Sequence, residues 1–445
     1  MGSAIDEVLA LRTASDPYDV APDEILPLQL DAIQERLEMR IADIPLLARR
    51  AQDGGIAKVA ERSDLIPLLF AHSAYKSYSE SWLTEGRWDR MAKWLKTVSA
   101  NALDGLDLDG VADIDQFVDR LESVGSFVTC TSGTSGKPAM IACSAEDLDT
   151  ASQSNVTGLS WATGIAPAGD RKLFGLGPRT KVERNERTRL ALVEAFSSEA
   201  DSYQLPLEPI GIGSIMGMIA FRRRVAEGEA SPSEVAAFEQ LSTSRQASMD
   251  VAVEEAVDEL IASRDRKLLL TGMFASLYQI AEGVRAKGFS GRDFQDDTGL
   301  LVGGGLKGVT LPDDYRERIF ETFNIHEDKV YHFYSMQEIN SPFPKCGAGR
   351  YHVPPWVMTL LLDEPGDNLL DVSGSVQGRA AFFDISLDGR WGGVISGDRV
   401  DVDFARCECG RYGPTIGPDI TRYADLGGDK ISCAGTIDAY VRGEA

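Results

Sequence analysis

Thr131-Ser132-Gly133-Thr134-Ser135-Gly136-Lys137 places hydroxyls, glycines and one lysine at consecutive positions. Glycine lets backbone approach a ligand closely, and successive N–H groups, hydroxyls and an ammonium together form a donor-rich cradle for an anion. A phosphate suits such a loop. The stretch is not a Walker loop, which spaces its glycines further apart and runs Lys-Ser/Thr into a helix. Here only Thr134 and Ser135 separate the glycines, and Pro138 follows the lysine. A plain flexible turn also favours Ser and Gly, but it needs neither the lysine nor a hydroxyl at nearly every position.

Further constellations lie downstream. Leu300-Leu301-Val302 reads as a buried strand running into Gly303-Gly304-Gly305, where backbone can approach a flat or charged ligand. Val330 to Ile339 reads as a strand followed by a turn that holds Tyr334 and then Glu338. Gly393 to Arg399 reads as a strand ending in a Ser396-Gly397-Asp398 turn. Together these offer an aromatic face for a base, a carboxylate for magnesium and a carboxylate for ribose hydroxyls. With the phosphate cradle they complete a nucleotide site.

The elements that must position these residues follow from composition and period. A chain of 445 residues with 43% hydrophobic and 26% charged residues has the make-up of a soluble globular protein. At ~150 residues per domain it suggests about three structural units. The net charge of -24 argues against nucleic acid or anionic membrane as the main partner. The N-terminus is acidic and amphipathic, unlike a secretory leader. No apolar run approaches the ~20 residues of a membrane span, so the cytoplasm is the expected compartment.

Helices are expected over much of 5–55, and at 145–157, 233–264 and 276–287; strands are expected at Lys172, Lys267 and Leu300. This alternation predicts an α/β architecture with ligands at the carboxyl ends of strands. Tyr75, Tyr78, Trp82, Trp88 and Trp94 are expected in the core. Gly211 to Phe221 alternates small and apolar residues; a cavity wall and a tightly packed core helix fit equally well. Arg222-Arg223-Arg224 reads as a solvated helix end.

Of six cysteines, Cys130 and Cys143 flank the phosphate loop, while Cys346, Cys407, Cys409 and Cys433 lie in the last quarter. Cys346, His352, Cys407 and Cys409 offer thiolates and an imidazole for a closed, structural zinc site. The competing reading is cysteines that are simply buried. His332 fits a core position or an acyl-pocket wall equally.

The ordered set Thr131 to Lys137, Tyr334-Ser335-Met336-Gln337-Glu338, Ser396-Gly397-Asp398 and Arg422 resembles the adenylate-forming superfamily of acyl-CoA synthetases, luciferases and related ligases. The resemblance implies that ATP and a carboxylic acid give acyl-AMP and pyrophosphate. It implies that Thr131, Ser132, Gly133, Thr134, Ser135, Gly136 and Lys137 hold the phosphates, with Lys137 acting in catalysis. Gly303, Gly304 and Gly305 pack on the adenine and Tyr334 stacks on it, with Ser335 beside the nucleotide. Glu338, with Thr134, holds magnesium. Asp398 binds ribose and Arg422 reaches the ribose-phosphate side. Such chemistry places charge on phosphoryl oxygens, which a metal ion, a lysine and N–H donors stabilise.

The implied fold is the large α/β domain of these enzymes: mixed and parallel sheets flanked by helices, with a small β-rich subdomain. The expected divisions are a helical region at 1–124, the ATP- and acid-binding core at 125–340, the β-rich subdomain with its zinc knuckle at 341–428, and a hinge-like tail at 429–445. The usual small C-terminal domain and its lysine are expected to be missing or vestigial. Lys307 and Lys430 are the candidates to replace that lysine.

Within the superfamily, Gly304-Gly305-Leu306-Lys307, the Cys346-to-His352 segment and Cys407-Glu408-Cys409-Gly410-Arg411 are most similar to the acyl-protein synthetase of the bacterial bioluminescence fatty-acid reductase complex. Phenylacetate-CoA ligases come second, and some proteins like them bind zinc. The resemblance covers 60–445 and is diffuse before 125. It implies that Cys433 accepts the acyl group as a thioester before passing it to a partner reductase or carrier; an inert buried Cys433 is the alternative. A CoA ligase and a non-catalytic nucleotide-binding scaffold are the rival functions.

Overall fold

The computed structural model describes residues 2–131, 137–303, 309–428 and 431. The chain divides into two compact units, one formed by residues 1–151 with 334–445 and the other by 152–333.

The 152–333 unit is built on a five-stranded parallel sheet in the order Ser202–Gln204, Lys172–Gly175, Leu268–Gly272, Gly299–Val302, Val330–Tyr331. Parallel strands are joined by crossovers that cover both faces, so their side chains are apolar on both sides. Leu268, Leu269 and Leu270 are all fully buried. Leu268 and Leu270 join Phe174 and Leu300 in one core, whereas Leu269 joins Leu173 and Tyr331 in the other. Each such leucine contributes roughly 1.5–3 kcal/mol through burial.

Helix Pro232–Ala262 starts at a Ser231/Glu234 capping box with Pro232 in its first turn. Its buried residues, Ala252 to Leu260, all lie in its second half. The Gly211–Phe221 segment corrects one of the two expectations for it. Helix Ile212–Ala226 buries only Ile212 and Met216, so it is not a tightly packed core helix. Its alternation of small and apolar residues does not follow a helical stripe, and its Phe221 stacks on Phe238 at 4.5 Å.

The other unit centres on a seven-stranded sheet in the order Tyr351–His352, Thr415–Ile416, Gly393–Asp403, Ser375–Asp384, Val357–Leu362; Phe70–Ala71 and Thr421–Arg422 also pair with Gly393–Asp403. Trp94, Trp356 and Trp391 are buried in this unit, as are Tyr75, Tyr78 and Trp88. A separate antiparallel hairpin joins Phe127–Cys130 to Met140–Cys143. Its loop is the phosphate-cradle segment.

Two local features depart from the expected pattern. The strand starting at Val330 stops at Tyr331, and Phe333–Tyr334 forms a separate short strand. Asp398 is not at a strand end but inside Gly393–Asp403. Opposite it the register jumps, with Arg379 facing Arg399 and Ala381 facing Ile395, so Ser396-Gly397-Asp398 forms an irregular bulge. A bulge lets a strand continue while redirecting a side chain. Among the described residues, no helix is long and apolar enough to cross a membrane.

Candidate functional site

The hairpin closes the base of the phosphate loop. Thr131 N donates to Ala139 O at 3.2 Å, and Ala139 N donates to Thr131 Oγ1 at 2.9 Å. Lys137 Nζ donates to the Tyr78 carbonyl and lies 4.4 Å from the centre of the Tyr78 ring. The Tyr78 hydroxyl in turn donates to Pro138 O at 2.9 Å. One buried tyrosine thus fixes both residues at which the chain leaves the loop. Ser132, Gly133, Thr134, Ser135 and Gly136 lie outside the described residues, as do Gly304, Gly305, Lys307, Lys430 and Cys433.

Tyr334 is buried among Phe343, Tyr351 and Phe382. Its hydroxyl donates to Asp398 Oδ2 at 2.6 Å. Burial, followed by the Asp398 charge, pushes the Tyr334 phenol well above its ordinary range, so it stays a donor. Asp398 N donates to Ser396 Oγ at 3.0 Å. Across the ladder Asp398 pairs with Arg422, whose Nε lies 3.9 Å from Asp398 Oδ1. The exposed Arg422 and the mostly buried Asp398 together present charge of both signs at one edge of the sheet.

Glu338 sits in a turn and is 7% exposed, yet its carboxylate makes no hydrogen bond or ion pair among the described residues. A carboxylate on a mostly buried residue, without a protein partner among the described residues, suits a cation ligand. Ser335 is exposed just after Tyr334. In the 152–333 unit, Gly303 N donates to Gly272 O at 3.2 Å, and the space a Cβ would occupy at Gly303 is open. His332 meets Phe274 edge-on with ring centres 5.9 Å apart.

Cys346, His352, Cys407 and Cys409 converge, their ligand atoms all within 4.8 Å of one another. The two cysteine turns share one hydrogen-bond pattern. Cys346 N donates to Arg350 O and Gly349 N to Cys346 O; Cys407 N donates to Arg411 O and Gly410 N to Cys407 O. Gly349 and Gly410 adopt φ of 83° and 90°, which their lack of a Cβ permits. The Cys346–Cys407 Sγ separation is 3.9 Å and Cys409 Sγ lies 3.3 Å from His352 Nε2. Tetrahedral zinc at ordinary bond lengths sets S···S near ~3.8 Å and S···N near ~3.6 Å, so the donor set fits that ion.

Burial, and then Arg411, pushes His352 down to about 4, which keeps its imidazole neutral. Burial pushes the Cys407 thiol up to about 12. Burial also raises Cys409, but hydrogen bonds from the Arg411 backbone, from Cys407 and from the Arg411 side chain outweigh it and bring Cys409 below its usual range.

Sequence reasoning missed what supports these groups. Asp16 accepts from Arg411 Nε at 2.6 Å and Asp19 from Tyr412 N at 2.8 Å, so the N-terminal segment braces the second cysteine turn. Asp147, Asn340 and Arg390 form a buried network around the Glu338 turn. None of these residues belongs to a local motif.

Residues 219–430 match the family described as acyl-protein synthetase, LuxE. No curated protein sequence matches the chain. Among solved structures, the chain is similar to an open conformation of 2-hydroxyisobutyryl-CoA ligase in complex with 2-HIB-AMP and CoA. Identity is 14% and the TM-score 0.56, over 92% of this chain and 72% of that one. The same ligase in the postadenylation state with 2-HIB-AMP gives 15% identity and a TM-score of 0.54, over 96% of this chain and 74% of that one. At such identities the likeness is one of fold, and that fold is the α/β large domain expected from the sequence.

Proposed function

We propose that the chain is an acid–thiol ligase of the adenylate-forming superfamily, one that joins ATP to a carboxylic acid as acyl-AMP, releases pyrophosphate, and passes the acyl group to its own Cys433 and then to a partner protein. The observation that carries this reading is the Tyr334–Asp398–Arg422 arrangement. It offers an aromatic ring tied by its hydroxyl to a carboxylate, with a guanidinium opposite. That combination serves the base, the ribose hydroxyls and the phosphate side of a nucleotide.

Thr131 and Lys137, with Ser132 to Gly136 between them, would hold the phosphates. Gly303, Gly304 and Gly305 would border the adenine. Glu338, with Thr134, would hold magnesium, which supplies charge neutralisation for the departing pyrophosphate. Cys346, His352, Cys407 and Cys409 would hold a structural zinc ion, since four protein ligands leave no open position. Lys430 and Lys307 are the lysines proposed to assist adenylation.

The 2-hydroxyisobutyryl-CoA ligase bears CoA in its structure, so CoA is the competing acceptor thiol. Acid-dependent ATP–pyrophosphate exchange over a panel of fatty and aromatic acids tests the proposal. Exchange with at least one acid is expected. No exchange with any of them would leave a nucleotide-binding scaffold as the better reading.

A further inference from the structure

Glu338 is buried and makes no hydrogen bond or ion pair among the described residues, so the turn that carries it sets where its carboxylate points. We propose that the Asp147–Arg390 pair and Asn340 are positioning residues that hold this turn in the geometry needed to bind a divalent cation. The inference rests on Glu338 being the cation-binding carboxylate.

Asp147 and Arg390 have no exposed side-chain surface and lie 3.7 Å apart. Apolar residues at such a place are often as stabilising as a buried ion pair, so stability alone is a weak account of it. The partners of the pair are more informative. Arg390 donates from Nη1 to Ala142 O at 3.1 Å and to Cys143 Sγ at 3.2 Å, and from Nη2 to Gln337 O at 3.3 Å. Asp147 accepts from Asn340 Nδ2 at 3.0 Å, Ser144 N at 3.0 Å, Asp388 N at 2.8 Å and Gly389 N at 3.0 Å.

The hub therefore grips the chain on both sides of Glu338, at Gln337 and at Asn340. It also grips strand Met140–Cys143, which returns from the phosphate loop. Two further contacts act in the same direction. Thr129 Oγ1 donates to Gln337 Oε1 at 2.8 Å, tying the other hairpin strand to the turn. Asp384 Oδ2 accepts from Asn340 N at 2.9 Å and from Ser341 N at 3.2 Å.

Gly389 shows how closely the pieces fit. A Cβ there would lie 2.5 Å from Asn101 Oδ1, 2.7 Å from Ser144 N and 2.8 Å from Asp147 Oδ2. Ligand groups held by such shells keep the sub-ångström placement that metal binding demands.

The test compares Arg390→Met, Arg390→Lys and Asn340→Ala with Glu338→Gln. Manganese binding is followed by electron paramagnetic resonance in the presence of α,β-methylene ATP, beside thermal melting. Arg390→Met and Asn340→Ala are expected to weaken manganese binding about tenfold or more, in the range of outer-shell losses at metal sites, with Arg390→Lys recovering part. Metal-free affinity for the analogue is expected to stay unchanged. Lower melting temperature with wild-type manganese affinity would overturn the positioning role. Should Arg390→Met fail to fold, Asn340→Ala and Thr129→Val decide by the same readout. Wild-type manganese affinity in Glu338→Gln would instead remove Glu338 as cation ligand, and the inference with it.

Discussion

The Tyr334 hydroxyl donates to Asp398 Oδ2 over 2.6 Å, and the strand partner of Asp398 is Arg422. This contact couples the aromatic that would face the base to the carboxylate that would face the ribose. Tyr334→Phe leaves the ring and removes the donor. A hydrogen bond to a charged group contributes ~1.5–3 kcal/mol, so KM for ATP is expected to rise about tenfold or more with kcat less affected. Steady-state kinetics across ATP concentration checks this, and an unchanged KM would separate Asp398 from nucleotide binding.

Lys137 is steered by Tyr78 through its carbonyl and its ring. Removing one preorganised donor to a developing phosphoryl charge lowers rates by about a hundred- to a thousandfold. Lys137→Met is expected to show a loss of that order in acid-dependent pyrophosphate release. Its effect on melting temperature should be small, because Lys137 is only partly buried and lies outside the core.

Much of the candidate site was legible because its residues are local. Glycines, hydroxyls and a lysine in succession announce the loop from Thr131 to Lys137 without knowledge of the rest of the chain. The thiol and imidazole set was legible for a similar reason: Gly349 and Gly410 mark the two tight cysteine turns. The setting of Asp398 was less so. Whether Ser396-Gly397-Asp398 ends a strand or bulges within it depends on the register of Arg379 and Ala381 on the neighbouring strand. Asp147, Asn340 and Arg390 were invisible, because isolated polar residues far apart in sequence carry no period. Helix Ile212–Ala226 misled because its composition is that of a buried element while most of its residues remain partly exposed.

The cysteine–histidine set predicts zinc in protein purified without chelator, detectable by elemental analysis and lost in Cys409→Ser. After chelation, pH dependence reports on His352. Its folded value is pushed down from 6.5 to about 4. The unfolded chain therefore binds a proton near 6.5 that the folded chain refuses until about 4, so stability is fully present above this interval and falls as pH drops through it. The slope approaches ~1.4 kcal/mol per pH unit for one proton. Urea denaturation of chelated protein across that interval should show the decline, and His352→Gln should flatten it.

Cys433 is the proposed acyl carrier. Cys433→Ser is expected to abolish the thioester seen by intact-protein mass spectrometry while leaving acid-dependent ATP–pyrophosphate exchange unchanged. An acyl group found only on added CoA, with Cys433 unmodified, would assign the thiol step to CoA instead.

The central claim is that the acid's carboxylate attacks the α-phosphorus of ATP. With a carboxylic acid labelled in both oxygens with oxygen-18, that attack makes one labelled oxygen the bridge of acyl-AMP. Thiol attack at the carbonyl then breaks the bond between the acyl carbon and that oxygen, leaving the label on AMP. Mass spectrometry of the products is predicted to show AMP carrying one oxygen-18 and pyrophosphate carrying none. Label in orthophosphate, with ADP as the nucleotide product, would mean attack at the γ-phosphorus and would contradict adenylation.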